Sequence, residues 1–182
     1  MKINQFIVFG AILAVAVGVG CSALSLTNEQ SAKLAEQLKL LQVLGSDPKV
    51  VEAVKEANTN PPAQYKSMTQ ETWKGLSILS PEIKFFTAND LAVYLKTKRT
   101  LYISEMFISA ANGNKVAFFA KTTGWNHSGK PKHDIPMKGK TWIGDPEQDE
   151  STGKIQVQIS FPILDGKKPI GSMVIGLDLS KL

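Results

Sequence analysis

The stretch IQVQISFPILDGKKPIGSMVIGLD at residues 155–178 decides the fold of this chain. Apolar and polar residues alternate in its first half, and this period of two is typical of a strand with one apolar and one polar face. The Asp165-Gly166 pair then predicts a tight turn into a second strand. The alternating residues are the apolar Ile155, Val157, Ile159, Phe161 and Ile163 and the polar Gln156, Gln158 and Ser160.

The second strand, from Pro169 to Asp178, is apolar on both of its faces. Strands that are covered on both faces lack the polar alternation of a half-exposed strand. We therefore expect this strand to lie in the interior of an antiparallel sheet. Its apolar residues are Met173, Ile175 and Leu177 on one face and Ile170 and Val174 on the other.

A second hairpin is predicted upstream. Residues 105–111 and 115–121 are rich in apolar, β-branched and aromatic residues, and Asn112-Gly113 lies between them. Both residues of this pair adopt positive φ readily, which favours a type I′ turn. The two hairpins together predict at least four antiparallel strands.

The overall composition is that of one globular domain. The chain has 182 residues, of which 43% are hydrophobic and 20% are charged, so a core can form without disulfides. The formal net charge is +5, but the lysines are scattered along the chain. Nucleic-acid binding is not expected, because it calls for clustered basic residues among aromatic ones. A mild positive excess instead favours small anionic ligands or anionic lipid headgroups.

Residues 1–20 are predicted to be a signal peptide or a membrane anchor. Lys2 is the only charged residue before the apolar run at residues 6–26, which is typical of an export signal. Cys21 follows small residues as in a bacterial lipoprotein signal, although Gly18 stands where leucine is usual. We expect Cys21 to be lipidated and the protein to lie on the periplasmic side of a bacterial membrane. Conventional cleavage with secretion, and an uncleaved anchor, are the alternatives.

The remaining chain is predicted to be a linker, residues 21–27, followed by one domain, residues 28–182. Residues 28–100 of this domain are expected to be mainly helical, and residues 101–182 mainly sheet.

Four helical segments are predicted in the helical half. The first, residues 28–44, is amphipathic and ends at Gly45. Ser46-Asp47-Pro48 offers a cap and a first-turn proline for the second, which stops at Asn60-Pro61-Pro62. Residues 69–79 are predicted to be a third helix that Ser80-Pro81 breaks, with Trp73 as a core anchor, and residues 87–94 a fourth short turn.

Several segments, in this order, resemble the Cache family of extracytoplasmic sensor domains, the PAS-like, PDC-type folds of bacterial chemoreceptors and sensor kinases. The resemblance implies an α+β fold in which a long helix packs on an antiparallel sheet of about five strands. It also implies a small-molecule pocket on the opposite face, under the connecting loops. The segments are Ser46-Asp47-Pro48, EMFISAANG at 105–113, KTTGW at 121–125, DEST at 149–152, FPILDG at 161–166, Ile170-Gly171 and GLD at 176–178.

The chain departs from the pattern of this family at the loop that follows the first hairpin. Ala110 and Gly124 stand where aspartate is common, and residues 126–130 read NHSGK in place of an acidic, glutamine-rich stretch. The resemblance therefore does not specify the ligand. Since the sequence continues only to Leu182, we expect a signal to leave through a partner protein and not through an output domain of the chain.

Seven residues are candidates for binding a small organic ligand such as a carboxylate. A ligand pocket needs apolar walls and a few convergent polar groups, and these residues supply both near the predicted loop. For each of them a structural role in the core, or simple exposure to solvent, is the alternative. The candidates are Tyr102, Lys121, Trp125, Asn126, His127, Gln158 and Ser160.

Metal binding, cofactor binding and catalysis are not predicted. His127 and His133 are six residues apart in a loop rich in proline and glycine, a spacing that does not enforce metal geometry. The chain has no nucleophile elbow, phosphate-binding loop or zinc-protease helix. A sensor module that signals through a partner is the first hypothesis. A Cache-like structural or protein-interaction lipoprotein, and an enzyme that uses either histidine with Asp149, are the others.

Overall fold

The computed structural model describes residues 25–62, 65–150 and 153–182. The predicted leader at residues 1–20 and the predicted lipidation of Cys21 lie outside these ranges. In the described part of the chain, no helix combines the length and apolar character that are needed to cross a bilayer.

The helices begin where the sequence offers caps. The Thr27 side chain accepts from the Gln30 backbone N–H while the Gln30 side chain accepts from Thr27 N–H, a reciprocal capping box. The Asp47 carboxylate caps the second helix, whose first residue is a proline. The helices are α1 Asn28–Leu41, α2 Pro48–Thr59, α3 Gln70–Gly75, α4 Pro81–Ala88, α5 Asp90–Lys96 and α6 Pro131–Asp134, with 3-10 turns at Gln42–Ser46 and Pro136–Lys138.

The strands form one six-stranded antiparallel sheet. Its order is β2-β1-β6-β5-β3, and β4 also pairs with β5, so β6 lies centrally as its two apolar faces predicted. The α+β class is confirmed, with six strands where about five were expected. The strands are β1 Ile103–Ala110, β2 Lys115–Phe118, β3 Trp142–Ile143, β4 Glu147–Gln148, β5 Ile155–Asp165 and β6 Lys168–Asp178.

One face of the sheet packs against α1, α2 and α5. The apolar side of the alternating strand β5 lies here, and Val50 and Val54 of α2 are fully buried against it. Gly171 of β6 permits this close approach, because an added Cβ would lie 2.8 Å from the Val54 side chain and 2.5 Å from the Ser109 carbonyl oxygen. Burial of this face supplies the main apolar core of the domain.

The opposite face is covered by α3, α4 and the loop after β2. An aromatic cluster fixes this cover: the ring centroids of Trp73 and Phe118 are 5.7 Å apart in an edge-to-face arrangement. Trp73 is fully buried, which confirms its predicted role as a core anchor. The other members of the aromatic cluster include Tyr65, Phe86, Phe107 and Trp125.

The two hairpin turns differ from each other. Asp165 pairs with Lys168, and Gly166 has φ +61°, so β5 and β6 are joined by a two-residue loop of the type II′ pattern. The type I′ turn predicted for Asn112-Gly113 is wrong. Only Gly113, at +85°, has positive φ there, and its N–H donates to the Ala110 carbonyl, as in a type I turn followed by a left-handed glycine.

Helix boundaries also differ from the sequence expectation. α1 ends at Leu41 and continues as a 3-10 turn, and α3 ends at Gly75 instead of reaching residue 79. Ser80-Pro81 opens α4, because proline fits the first turn of a helix as well as it interrupts one.

Candidate functional site

Polar side chains project from four neighbouring strands into the covered face of the sheet. Glu105 and Ser109 lie on β1 and Lys115 on β2, and Ser172 lies on β6. The polar set of β5 points the same way, because the alternation that buries its apolar residues on one face sends the polar ones to the other. All of these side chains are buried under α6 and the loop after β2; those of β5 are Gln156, Gln158 and Ser160.

The centre of this polar face is the Glu105 carboxylate. Gln158 Nε2 donates to Glu105 Oε2 at 2.9 Å, and Gln156 Nε2 donates to the same oxygen at 3.3 Å. The side-chain oxygen of Gln156, Oε1, in turn accepts a hydrogen bond from the Ser104 hydroxyl. These bonds cross the central strand at Gly176, which has no side chain to separate β5 from β1.

Lys132 extends the network from the other side of the site. Its Nζ donates to Gln158 Oε1 at 2.6 Å, so the amide of Gln158 bridges a lysine and a carboxylate. Lys132 belongs to α6, which is held on the sheet by His133. The Nδ1 atom of His133 is 2.7 Å from Ser172 Oγ, and its Nε2 atom is 3.3 Å from the Ala111 carbonyl oxygen.

The loop between β2 and α6 places His127 over the ring of Phe107. The His127 backbone N–H donates to the Gly113 carbonyl at 2.9 Å, which ties the loop to the first hairpin. The two rings are then 4.7 Å apart between centroids. His127 Nδ1 is buried and has no hydrogen-bond partner among the described residues.

These groups surround a small polar cavity of about 180 Å³. Its inner part is formed by the half-buried Lys132 and by four buried residues, Glu105, Phe107, His127 and Gln158. Its outer part is acidic, because Glu147 and Glu150 are exposed and Asp149 is partly exposed. The full lining is Glu105, Phe107, Thr122, Thr123, His127, Lys132, Glu147, Gln148, Asp149, Glu150 and Gln158.

Burial shifts the ionisation of the inner groups toward their neutral forms. Loss of hydration and the charge of Asp149 raise the pKa of Glu105, while Lys115, Gln158 and Lys132 partly oppose this shift. Burial also lowers the pKa of Lys132, against the attraction of Glu105. The pKa of His127 is lowered by burial and by the nearby lysines, so its imidazole is neutral in the folded protein near pH 7.

Lys115 is the most deeply buried of the ionisable groups at this site. Its side chain is 1% exposed, and its Nζ atom lies 3.2 Å from the centroid of the Phe107 ring. Burial lowers the pKa of Lys115 well below its ordinary value, although the Glu105 carboxylate opposes that shift. Lys115 Nζ has no hydrogen-bond partner in the described part of the chain.

Two of the seven residues predicted from the sequence, His127 and Gln158, line this cavity. Ser160 lies on the same face of β5 but outside the lining, opposite Trp142 and Val174 in neighbouring strands.

The other four candidates lie outside the cavity lining, in structural contacts. Trp125 is 3% exposed and packs into the aromatic cluster, because its ring fits between other aromatic rings under α3 and α4. The Asn126 amide donates to the Asn112 carbonyl oxygen at 2.9 Å and fastens the loop to the hairpin. Lys121 Nζ donates to the Leu76 carbonyl oxygen at 2.6 Å, and Tyr102 packs on the edge of the main core.

Glu105, Lys115 and Lys132 were not among the residues that the sequence pointed to. Glu105 and Lys115 each begin a run of apolar residues, and a charged residue at such a position usually marks the exposed end of a strand. The signal that could have found them is the combination of polar positions on adjacent strands. That combination requires the strand order and register, which the sequence pattern does not supply.

Metal binding has no support in the described residues, since no group of three or more His, Cys, Asp or Glu side chains there is arranged to hold an ion. The chemistry that the cavity offers is hydrogen bonding and charge recognition. A buried carboxyl, a lysine and a neutral imidazole line it and can bind a small polar molecule.

No protein-family model and no curated protein matches the chain. Solved structures do match. The sensor domain of the V. cholerae histidine kinase DctB is 15% identical with a TM-score of 0.47, over 84% of this chain and 53% of that chain. The sensory domain of the C. jejuni chemoreceptor Tlp3, solved with isoleucine bound, is 12% identical with a TM-score of 0.40, over 82% and 62%. The ligand-binding domain of Mlp24 with asparagine is 12% identical with a TM-score of 0.36, over 84% and 57%.

This chain spans less than two thirds of the length of each of these domains. The first two are sensor domains of a histidine kinase and a chemoreceptor, and the third is a ligand-binding domain.

Proposed function

We propose that this protein is an extracytoplasmic sensor module that binds a small polar molecule in the cavity over Glu105 and Gln158 and passes its occupancy to a partner protein. The observation that carries this proposal is the bridge from Lys132 through Gln158 to Glu105 at the inner end of a cavity. Buried charged groups that face a cavity cost free energy of folding. Retaining them there favours a role in recognition.

The charge distribution supports a ligand with both an acidic and a basic group. Lys132 lies at the inner end, where it can donate to a carboxylate. Glu147 and Glu150 lie at the exposed outer end and favour a cationic group there. An amino acid or a related small zwitterion combines the two.

The size of the cavity supports a small ligand. A volume of about 180 Å³ equals that of about six water molecules in the liquid. This volume suits a short-chain amino acid or carboxylate.

A ligand screen on the purified full-length protein tests the proposal. Thermal shift is measured with amino acids, including isoleucine and asparagine, with short carboxylates and with small amines, and each compound that stabilises the protein is then titrated by calorimetry. We expect at least one small zwitterion or carboxylate to bind. Gln158→Leu and Lys132→Met are each expected to lower the affinity for that compound by about tenfold or more, since each removes a hydrogen bond to a charged group.

Lys121→Met is the matched control, because this lysine donates to backbone carbonyls outside the cavity lining. It should leave affinity unchanged. Two results would contradict the proposal. One is a screen without a stabilising compound together with native mass spectrometry that finds no co-purified molecule. The other is equal affinity in the wild type and both cavity variants, and either result would favour a structural or protein-binding role.

A further inference from the structure

Lys115 stands out because burial leaves its amine without a partner. Its Nζ atom lies on the face of the Phe107 ring, 3.2 Å from the ring centroid, and makes no hydrogen bond in residues 25–62, 65–150 and 153–182. An aromatic face stabilises an ammonium group but offers no hydrogen-bond acceptor of ordinary strength. A buried amine without a hydrogen-bond partner lowers the stability of the fold, so stability does not account for a lysine at this position.

Two further hydrogen-bonding atoms around Phe107 share this property. Ser109 Oγ and His127 Nδ1 are buried and unpartnered in the described residues. Ser109 pairs with Lys115 in the register of β1 and β2, and the His127 ring lies 4.7 Å from the Phe107 ring. A lysine and a serine can both donate, and an imidazole can donate from Nδ1 in one of its tautomers. The group that would satisfy all three is an acceptor, such as a carboxylate.

The balance of buried charge points the same way. Lys115 and Lys132 are lysines beside the cavity, and Glu105 is the one buried carboxyl of its lining in the described chain. Lys132 is joined to Glu105 through Gln158, whereas Lys115 Nζ has no carboxylate within hydrogen-bond distance in the described residues. An acidic group that enters the cavity supplies that anion.

We propose that Lys115, with Ser109 and His127, forms an inner subsite that binds the carboxylate of a ligand once the Phe107 side chain moves away from the lysine. Phe107 lines the cavity and its ring lies against Lys115 Nζ, so this side chain separates the lysine from the cavity and must be displaced for a ligand to reach it. This inference rests on the proposed ligand-binding function and assigns the part of the ligand that is recognised most deeply.

Binding in this subsite is coupled to uptake of one proton. The buried amine takes a proton to become an ammonium group, and the arriving carboxylate balances the new charge. The groups that face Lys115 are Glu105 from β1, His127 and Lys130 from the covering loop, and Lys132 and His133 from α6. Among these only Glu105 supplies negative charge, and it already accepts hydrogen bonds from two glutamines.

The test uses acetate as the probe and acetamide as its neutral counterpart of the same shape. The full-length protein is labelled with ¹³C and ¹⁵N in its lysine side chains, and the Cε and Nζ resonances are followed during each titration. We expect acetate, and not acetamide, to move the Lys115 resonances toward those of an ammonium group. Lys115→Met keeps the length of the side chain and removes the amine, and it should lower the acetate affinity by about tenfold or more.

Lys121→Met is again the control and should bind acetate like the wild type. Unchanged Lys115 resonances at saturating acetate would overturn the inner subsite, as would equal acetate affinity in the wild type and Lys115→Met. Failure of the sensor function looks different. If the ligand screen yields no compound but Lys115 still becomes protonated when acetate binds, the sensor function is wrong and the subsite remains as an anion site. If a screened ligand binds without any effect on the Lys115 resonances, the cavity binds ligand and the proposed subsite is wrong.

Discussion

Glu105 and Gln158 belong to strands that do not pair with each other, yet Gln158 Nε2 lies 2.9 Å from Glu105 Oε2. Both residues lie opposite Gly176 of the strand between them. A glycine at this place leaves the space above the central strand open, so that the two side chains meet over it. The inner end of the cavity therefore depends on a residue that contributes no side chain.

Gly176→Ala is expected to destabilise the domain and to disturb this network. The added Cβ would lie 2.3 Å from Gln156 Oε1 and 2.9 Å from Ser104 Oγ, so Gln156 must leave its place beside Glu105. A cost of about 1–3 kcal/mol in the free energy of unfolding, measured in urea, is expected for such overpacking. Gly75→Ala is the control, since nothing lies within 4 Å of its added Cβ. Equal stability of the two variants would contradict the role given to Gly176.

Gly113→Ala and Gly129→Ala separate backbone strain from loop attachment. Both glycines have positive φ, +85° and +82°, so both substitutions are strained by about 1–2 kcal/mol. The Cβ at residue 113 would in addition lie 2.4 Å from the Ser128 nitrogen, whereas nothing lies within 4 Å at residue 129. We expect Gly113→Ala to cost at least about 1 kcal/mol more in urea unfolding. Similar losses in both variants would mean that the loop adapts without cost.

Acid should destabilise the protein through His127. Burial, and then the nearby lysines, hold the pKa of His127 below its ordinary value of 6.5, so the unfolded chain takes up a proton that the folded chain does not. The stabilisation from the neutral imidazole is thus complete above pH 6.5 and is lost as the pH falls below it. The slope for one such group reaches about 1.4 kcal/mol per pH unit.

Urea unfolding of the wild type and His127→Asn between pH 7 and pH 5 measures this effect, and the imidazole should account for a loss of about 2 kcal/mol over that range. The substitution costs packing at every pH, and the difference in slope isolates the imidazole because the other titrating groups remain. Parallel curves for the two proteins would show that His127 does not stay neutral in the folded state.

Asp47 is expected to stabilise the start of α2 through two kinds of contact. Its carboxylate accepts from the Lys49 backbone N–H at 2.9 Å and from the Tyr94 hydroxyl at 2.5 Å. Asp47→Ala should lower the free energy of unfolding by about 1–2 kcal/mol, and Asp47→Asn by less, because asparagine is also a good cap. Tyr94→Phe removes only the hydroxyl contact and should cost about 1 kcal/mol. A double-mutant cycle with Asp47→Ala in urea checks the coupling, and additive losses would contradict it.

Much of the fold follows from local patterns. The alternation of residues 155–163 predicts which side of β5 is apolar, and the two apolar faces of residues 170–177 predict the central place of β6. Asp47 and Pro48 predict the start of α2, because helix caps and first-turn prolines act on residues within one turn of the chain. The turn type at Asn112-Gly113 is the exception. A type I′ turn needs positive φ at both residues, and only Gly113 has it.

The candidate site was harder to predict, and Trp125 and Lys132 show why. A tryptophan in a loop is equally suited to a ligand wall and to a core, and the path of α3 and α4 decided for the core. Lys132 lies in a polar, lysine-rich loop that reads as exposed, but α6 folds down onto Ser172 and carries the lysine to Gln158. Neither outcome is encoded within a few residues of the side chain concerned.

The sequence by itself determined the four strands of the two hairpins, the turn at Asp165-Gly166, the central place of β6 and the side of β5 on which Gln158 projects. These properties depend on the period of the backbone and on the conformational preferences of neighbouring residues. Only the tertiary structure decided that Glu105, Gln158 and Lys132 meet, and that Lys115 is buried beside them. Their meeting depends on strand order, on the missing side chain at Gly176 and on the path of a covering loop, and these are set by contacts between distant parts of the chain.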